Sequence, residues 1–192
     1  MLKQPKVVVI AGLSGVGKSF VIENMIVEYD NYAHFSAGTL IKKRLSNVCR
    51  DRLRLLGRNE VLGNQHLLID QLLIELESIA SEKVVLLDAH MLIDTDDEVV
   101  EVPLEVFEKV SPAMFLHLHD APEKIFDRRK NDNSRVRSRR SRAEIDSHQK
   151  RSVEIASAYA EHLGVPLFFF KPKDWSDVNL TINTKLDENL KD

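Results

Sequence analysis

A chain of 192 residues, 43% apolar and 30% charged, has room for one ordinary domain and is too apolar for wholesale disorder. One cysteine, Cys49, excludes an internal disulfide or a cysteine-based zinc site and suits a reducing cytosol, and no run approaches the roughly 18 apolar residues of a membrane helix. The net charge of −3 argues against non-specific nucleic-acid binding, but residues 128–142 carry a formal +7 and the remainder −10, so an anion is expected to be handled there.

Residues 6–10, Lys-Val-Val-Val-Ile, form a β-branched run expected of a strand buried on both faces. The apolar stretch continuing to Leu13 leads into Gly-Lys-Ser instead of a small-residue cleavage site, which speaks against a signal peptide. After a glycine-rich turn, Val21, Ile22, Met25 and Ile26 fall at helical spacing, and residues 32–36 give a second strand. The pattern is helical and densely basic over 38–56, then helical again over 60–80, with Leu62, Leu72 and Leu76 among the positions facing a core. Residues 84–88 make another buried strand, ending in a carboxylate. An acidic loop (94–101), a short helix (104–109) and a strand (113–119) follow, and Pro122 opens the next helix at a tolerated first-turn position. A helix over 143–162 closes at Gly164, residues 165–170 give a last strand, and the tail beyond Pro172 is weakly patterned. Parallel-type strands alternating with helices predict a three-layer α/β fold.

Gly12-Leu13-Ser14-Gly15-Val16-Gly17-Lys18-Ser19 fits G-x-x-x-x-G-K-[ST] and lies between a predicted strand and a predicted helix. In such a loop the backbone N–H groups of Gly12, Ser14, Gly15, Val16 and Gly17 converge on phosphate oxygens, and the helix N-terminus adds its positive dipole. Lys18 is expected to reach the β- and γ-phosphates of a nucleoside triphosphate, and the Ser19 hydroxyl to ligate Mg²⁺. Asp88, closing its strand, is a second candidate for the metal, directly or through water; the plainer alternative is a turn or helix cap. His90 either faces the same site, positioning water or phosphate, or is a loop histidine without a role.

Ser36 or Thr39 caps the helix that follows, or this turn, with Gly38, presents backbone and hydroxyl groups to a second small ligand. Lys42, Lys43, Arg44, Arg50, Arg52 and Arg54 are more cation than a solvated face needs, and one or two are expected to bind an acceptor phosphate. Farther on, Arg128 and Arg129 lie on a helix that breaks at 131–134, and Arg135, Arg137, Arg139, Arg140 and Arg142 follow with almost no apolar residue. A segment unable to bury itself is expected to be mobile, which suits a lid that excludes water and neutralises charge in phosphoryl transfer. Guanidinium forks match phosphate oxygens bidentately. An RNA-binding patch and a solvated face compete with this reading, but no aromatic residue between Phe126 and Tyr159 offers base stacking.

Together these residues resemble the nucleoside-monophosphate kinases, closest to archaeal-type adenylate kinases and their nuclear adenylate kinase/ATPase relatives, over residues 7 to about 170. Residues 12–19 look like that family's P-loop, and 34–38 resemble the turn opening its monophosphate-binding region, with Lys42 near where adenylate kinases often carry an arginine. Asp88-Ala89-His90 is similar to its Asp-x-His motif, Arg128-Arg129 and Ser134-Arg135-Val136-Arg137 to its lid arginines, and His148-Gln149 to a pair on the next helix. The acidic loop 94–101 and the arginines after Ser138 depart from the pattern. The resemblance implies one P-loop NTPase domain over residues 1–192, with a central, mostly parallel five-stranded sheet. It also implies a helical monophosphate-binding region at about 36–80 and a short arginine-rich lid at about 130–142.

The expected activity is Mg²⁺-dependent transfer of the ATP γ-phosphoryl group to a nucleoside monophosphate, first of all AMP, in the cytoplasm. Arg135 and Arg137 would stabilise transition-state charge, and Arg128 would lie near the donor base or phosphates. The rivals are a small-metabolite kinase on the same scaffold and an ATPase that acts as an assembly or RNA-processing factor with a protein or RNA partner.

Overall fold

The computed structural model describes residues 4–44, 57–132 and 138–188. Among them the strands are β1 (Lys6–Ala11), β2 (Tyr32–Ser36), β3 (Val84–Asp88), β4 (Leu92–Asp94), β5 (Val99–Glu101), β6 (Met114–Leu118) and β7 (Leu167–Phe170). The helices are α1 (Lys18–Glu28), α2 (Ala37–Arg44), α3 (Arg58–Glu77), α4 (Leu104–Val110), α5 (Pro122–Asn131), α6 (Arg142–Leu163) and α7 (Trp175–Glu188). Five strands form one parallel sheet in the order β2-β3-β1-β6-β7, and β4 pairs with β5 as a separate antiparallel hairpin.

The β-branched run of β1 accounts for its central place. Val7, Val9 and Ala11 join one core and Val8 and Ile10 the other, none more than 4% exposed. The first face is covered by α2, α3, α4 and α6 through Leu40, Leu72, Phe107 and Ile155, the second by α1 and α7 through Ile22, Met25, Val178 and Ile182. The result is the three-layer α/β fold. Register then gathers the site. Ile10 lies opposite Asp88, Asp88 opposite Ser36, and Ala11 opposite His117, so four strands present their carboxyl ends at one edge. No helix among the described residues is long and apolar enough to cross a membrane.

Several elements differ from expectation. The helix predicted over 38–56 is α2 as far as Arg44, and residues 45–56 lie outside the described residues. Thr39 therefore sits inside the first turn of α2 and is not its cap. α3 starts before Glu60 because that side chain reaches back to accept from the Gly57 amide at 3.2 Å. The acidic loop is a hairpin, β4–β5, and the weakly patterned tail is α7, whose Val178, Ile182 and Leu186 recur every fourth residue and are buried.

β6 also carries a histidine with no solvent exposure. His117 Nε2 lies 2.8 Å from Ser152 Oγ on α6, while Nδ1 has no hydrogen-bond partner among the described residues. Burial, helped by Lys18 and His119, pushes its pKa from 6.5 down to about 4. Between those values the unfolded chain binds a proton that the folded chain refuses, so stability falls as pH falls, by up to about 1.4 kcal/mol per pH unit. Urea titrations at pH 7 and pH 5 should show the wild type losing about 2 kcal/mol more than His117→Gln. Equal losses in the two proteins would rule this histidine out as the source.

Candidate functional site

β1 ends where the chain must turn beneath its neighbour. At Gly12 φ is +138°, and a Cβ there would lie 2.6 Å from the Leu118 carbonyl oxygen. The Val16 amide donates to the Leu13 carbonyl, and Gly17 leads into α1 with no side-chain cap. α1 also has no acidic residue in its first turn. An uncapped helix N-terminus behind a glycine loop favours an anion through both its amide groups and its dipole.

Lys18, the first residue of α1, is only 5% exposed. Its ammonium donates to the Gly12 carbonyl at 2.8 Å and the Leu13 carbonyl at 3.4 Å, and lies 3.6 Å from Asp88 Oδ1. His90 Nδ1 stands 3.3 Å from the same ammonium and 3.0 Å from the Gly12 carbonyl oxygen, so the structure brings His90 to the loop. Only the tautomer protonated at Nδ1 donates to that carbonyl. Asp88 Oδ1 is buried and accepts no hydrogen bond among the described residues. Asp88 and the exposed Ser19 hydroxyl are hard oxygen donors of the kind Mg²⁺ takes together with phosphate oxygens. No group of three or more His, Cys, Asp or Glu among the described residues is placed to hold a metal.

Ser36 ends β2 in register with Asp88, half-buried; Gly38 and Thr39 follow in the first turn of α2, and Lys42 is half-buried one turn on. A Cβ on Gly38 would meet Ser36 Oγ at 3.9 Å and nothing closer. Lys43 is used differently. It pairs with Glu75 on α3, and its hydrogen bond with that of Gln71 holds the Glu75 carboxyl below the usual carboxylate range. Arg50, Arg52 and Arg54 lie outside the described residues.

On α5, Arg128 Nη1 donates to the Val16 carbonyl at 2.8 Å and Nη2 to Asp120 Oδ2 at 2.6 Å. Burial works against the Asp120 carboxylate, but Arg128 and the Ala121 amide more than offset it and hold its pKa down. Arg135 and Arg137 lie outside the described residues. Residues 138–142, expected to belong to a mobile flap, are fastened. Ser138 is 7% exposed and donates to Asp96 at 2.9 Å, Arg140 binds Asp94, and the Arg142 guanidinium stacks 5.2 Å from the Phe126 ring centroid.

In the sequence Arg129 stands only among the basic residues of the expected lid, Gln149 only in a resemblance and Asp94 only as part of the acidic loop, none with a role of its own. Arg129 Nε donates to the Ser14 carbonyl at 2.8 Å and Nη1 to Asp94 at 3.0 Å, so this arginine, beside Arg128, lies on the loop. Gln149 exchanges two hydrogen bonds with the Asp120 backbone, at 3.1 and 3.0 Å, fixing the turn that starts α5. A signal for the acidic partner was present, because residues 94–101 hold five carboxylates in a chain whose positive charge is concentrated at 128–142.

The AAA domain family matches residues 11–146. The adenylate kinase of Methanothermobacter thermautotrophicus is 31% identical over 171 residues, covering 86% of this chain and 90% of its own. That of Thermococcus kodakarensis is 32% identical over 164 residues, 82% of each chain. A solved shikimate kinase from Bacteroides thetaiotaomicron shares the fold, with a TM-score of 0.55 at 12% identity over 93% of this chain and 98% of that one.

Proposed function

Because the chain belongs to the AAA domain family and to the nucleoside-monophosphate kinases, we propose that it transfers the γ-phosphoryl group of ATP to a nucleoside monophosphate, AMP before others, with Mg²⁺, in the cytoplasm. The observation that carries this reading is the uncapped head of α1, with the buried Lys18 ammonium folded across the glycine loop. The register of Ser36 with Asp88 at the same sheet edge supports reading the turn that follows it as the acceptor region.

An oxygen of the acceptor phosphate attacks the γ-phosphorus in line, and the bond from that phosphorus to the β–γ bridging oxygen breaks, leaving ADP and a nucleoside diphosphate. No side-chain nucleophile is required. The amides of Gly12, Ser14, Gly15, Val16 and Gly17 hold donor phosphates, and Lys18 exchanges the Gly12 carbonyl for them. Ser36, Gly38, Thr39 and Lys42 receive the acceptor, while Arg128, Arg135 and Arg137 serve the donor and the charge that develops. Ser19 and Asp88 would hold Mg²⁺, which neutralises phosphate charge when bound.

A coupled assay with ATP and Mg²⁺ against AMP, CMP, UMP and GMP tests the proposal, with AMP expected to give the fastest ADP formation. No acceptor raising ADP above a Lys18→Ala background would overturn it. The placement of His90 on the Gly12 carbonyl supports one second reading, acceptor-free ATP hydrolysis in an assembly or RNA-processing role. It expects phosphate release without acceptor that His90→Ala abolishes and RNA raises.

A further inference from the structure

The β4–β5 hairpin stands outside the main sheet yet reaches the phosphate loop through one carboxylate. Asp94 closes β4 with its side chain 11% exposed. Its Oδ2 accepts from Arg129 Nη1 and its Oδ1 from Arg140 Nε, each at 3.0 Å. Arg140 Nη2 also donates to the Thr95 carbonyl at 2.8 Å. Behind Asp94 the turn is tight, because the Thr95 amide and hydroxyl both donate to the Glu98 carbonyl at 2.9 Å. The hairpin's own turn thus helps to set where the carboxylate sits, together with the Arg140 bond to the Thr95 carbonyl.

Arg129 lies across the loop with its side chain 8% exposed. A Cβ on Gly15 would meet its Cγ at 2.8 Å, so the absence of a side chain there lets it approach. Nε is held by Ser14 and Nη1 by Asp94, but Nη2 is buried with no hydrogen-bond partner among the described residues. A buried guanidinium nitrogen left unpaired is unfavourable. An orphaned guanidinium donor directly on a phosphate loop is a seat for an anionic oxygen.

We propose that Asp94 is a positioning residue for the phosphoryl-transfer site: it grips Arg129 so that the spare Nη2 is held ready for a phosphate oxygen of the nucleotide in the loop. This rests on the kinase reading above. It assigns the acidic hairpin the task of setting an arginine on another element.

The test is titration calorimetry with the non-hydrolysable ATP analogue AMP-PNP and Mg²⁺, beside steady-state turnover. Asp94→Asn is expected to weaken AMP-PNP binding on the order of tenfold, with kcat falling at least as much. Asp94→Glu should restore most of both. Arg129→Lys should reproduce the Asp94→Asn loss, and the double variant should be no worse than either single one. Unchanged or tighter AMP-PNP binding in Asp94→Asn, or additive losses in the double variant, would overturn the proposal. If Asp94→Asn does not fold, near-native binding by Asp94→Glu together with weakened binding by Arg129→Lys supports it, and any other pattern overturns it. A wild-type protein that forms no ADP with any acceptor refutes the kinase reading, while the AMP-PNP titrations still decide the role of Asp94.

Discussion

Lys18→Ala is expected to lower ATP-dependent phosphoryl transfer by roughly 10²–10³-fold, the loss typical of deleting one donor aimed at developing charge. The ammonium is already inside the site. It lies 2.8 Å from the Gly12 carbonyl, 3.3 Å from His90 Nδ1 and 3.6 Å from Asp88 Oδ1. An incoming phosphate therefore meets a cation whose stem is ordered, so little entropy remains to be lost when it turns to the ligand. Truncation removes that charge and takes from Asp88 a cation its buried Oδ1 faces. The Asp88 side chain is 17% exposed and the shortened residue 18 leaves space beside Oδ1, so the carboxylate is expected to hydrate and the fold to persist. Lys18→Arg should recover little, since a planar fork does not fit a seat shaped for a compact ammonium. Steady-state turnover alongside thermal melting checks this. A well-folded Lys18→Ala protein keeping more than about a tenth of wild-type turnover would remove Lys18 from the reaction.

The second large effect is structural before it is chemical. Gly12→Ala puts a methyl group 2.6 Å from the Leu118 carbonyl oxygen and forces φ of +138° on a residue with a Cβ. The neighbour is backbone in a central strand of the sheet, fixed by pairs to β1 and β7, so it cannot give way cheaply. A cost of about 3 kcal/mol or more is expected, lowering Tm by roughly ten degrees, with AMP-PNP binding reduced as the loop is displaced. Gly63→Ala provides the contrast. That glycine is exposed inside α3 with nothing within 4 Å of a built Cβ, so alanine should stabilise by about 0.5–1 kcal/mol. Melting both variants decides the matter, and a Gly12→Ala protein as stable as the wild type would contradict the steric argument.

Much of this fold is written in local pattern. The continuous apolar runs of β1 and β3 require burial on both faces, and both strands are central. Pro122 opens α5, and Gly164 closes α6 at φ of +64°. The phosphate loop was legible because its chemistry is local, with amides, lysine and serine all within eight residues. α7 carried a readable signal, Val178, Ile182 and Leu186, diluted by the polar residues between them. The β4–β5 hairpin did not, because strands of three residues are too short to establish a period of two.

What the sequence determined alone was therefore the glycine loop with Lys18, the strand-ending Asp88, the layered α/β architecture and the unequal charge of its two parts. Only the tertiary structure decided where that charge goes. Asp94 meets Arg129 from 35 residues away and Arg140 from 46, and Arg128 finds the Val16 carbonyl across 112. Those encounters depend on strand order, which puts β6 and its following helix beside β1, and no residue spacing along the chain records it. Two neighbouring arginines that look alike in sequence thus take different partners, Arg128 on Asp120 and Arg129 on Asp94. The physical reason is that helical side chains one residue apart point about 100° from each other, so each reaches the carboxylate that the packed sheet happens to place on its own side.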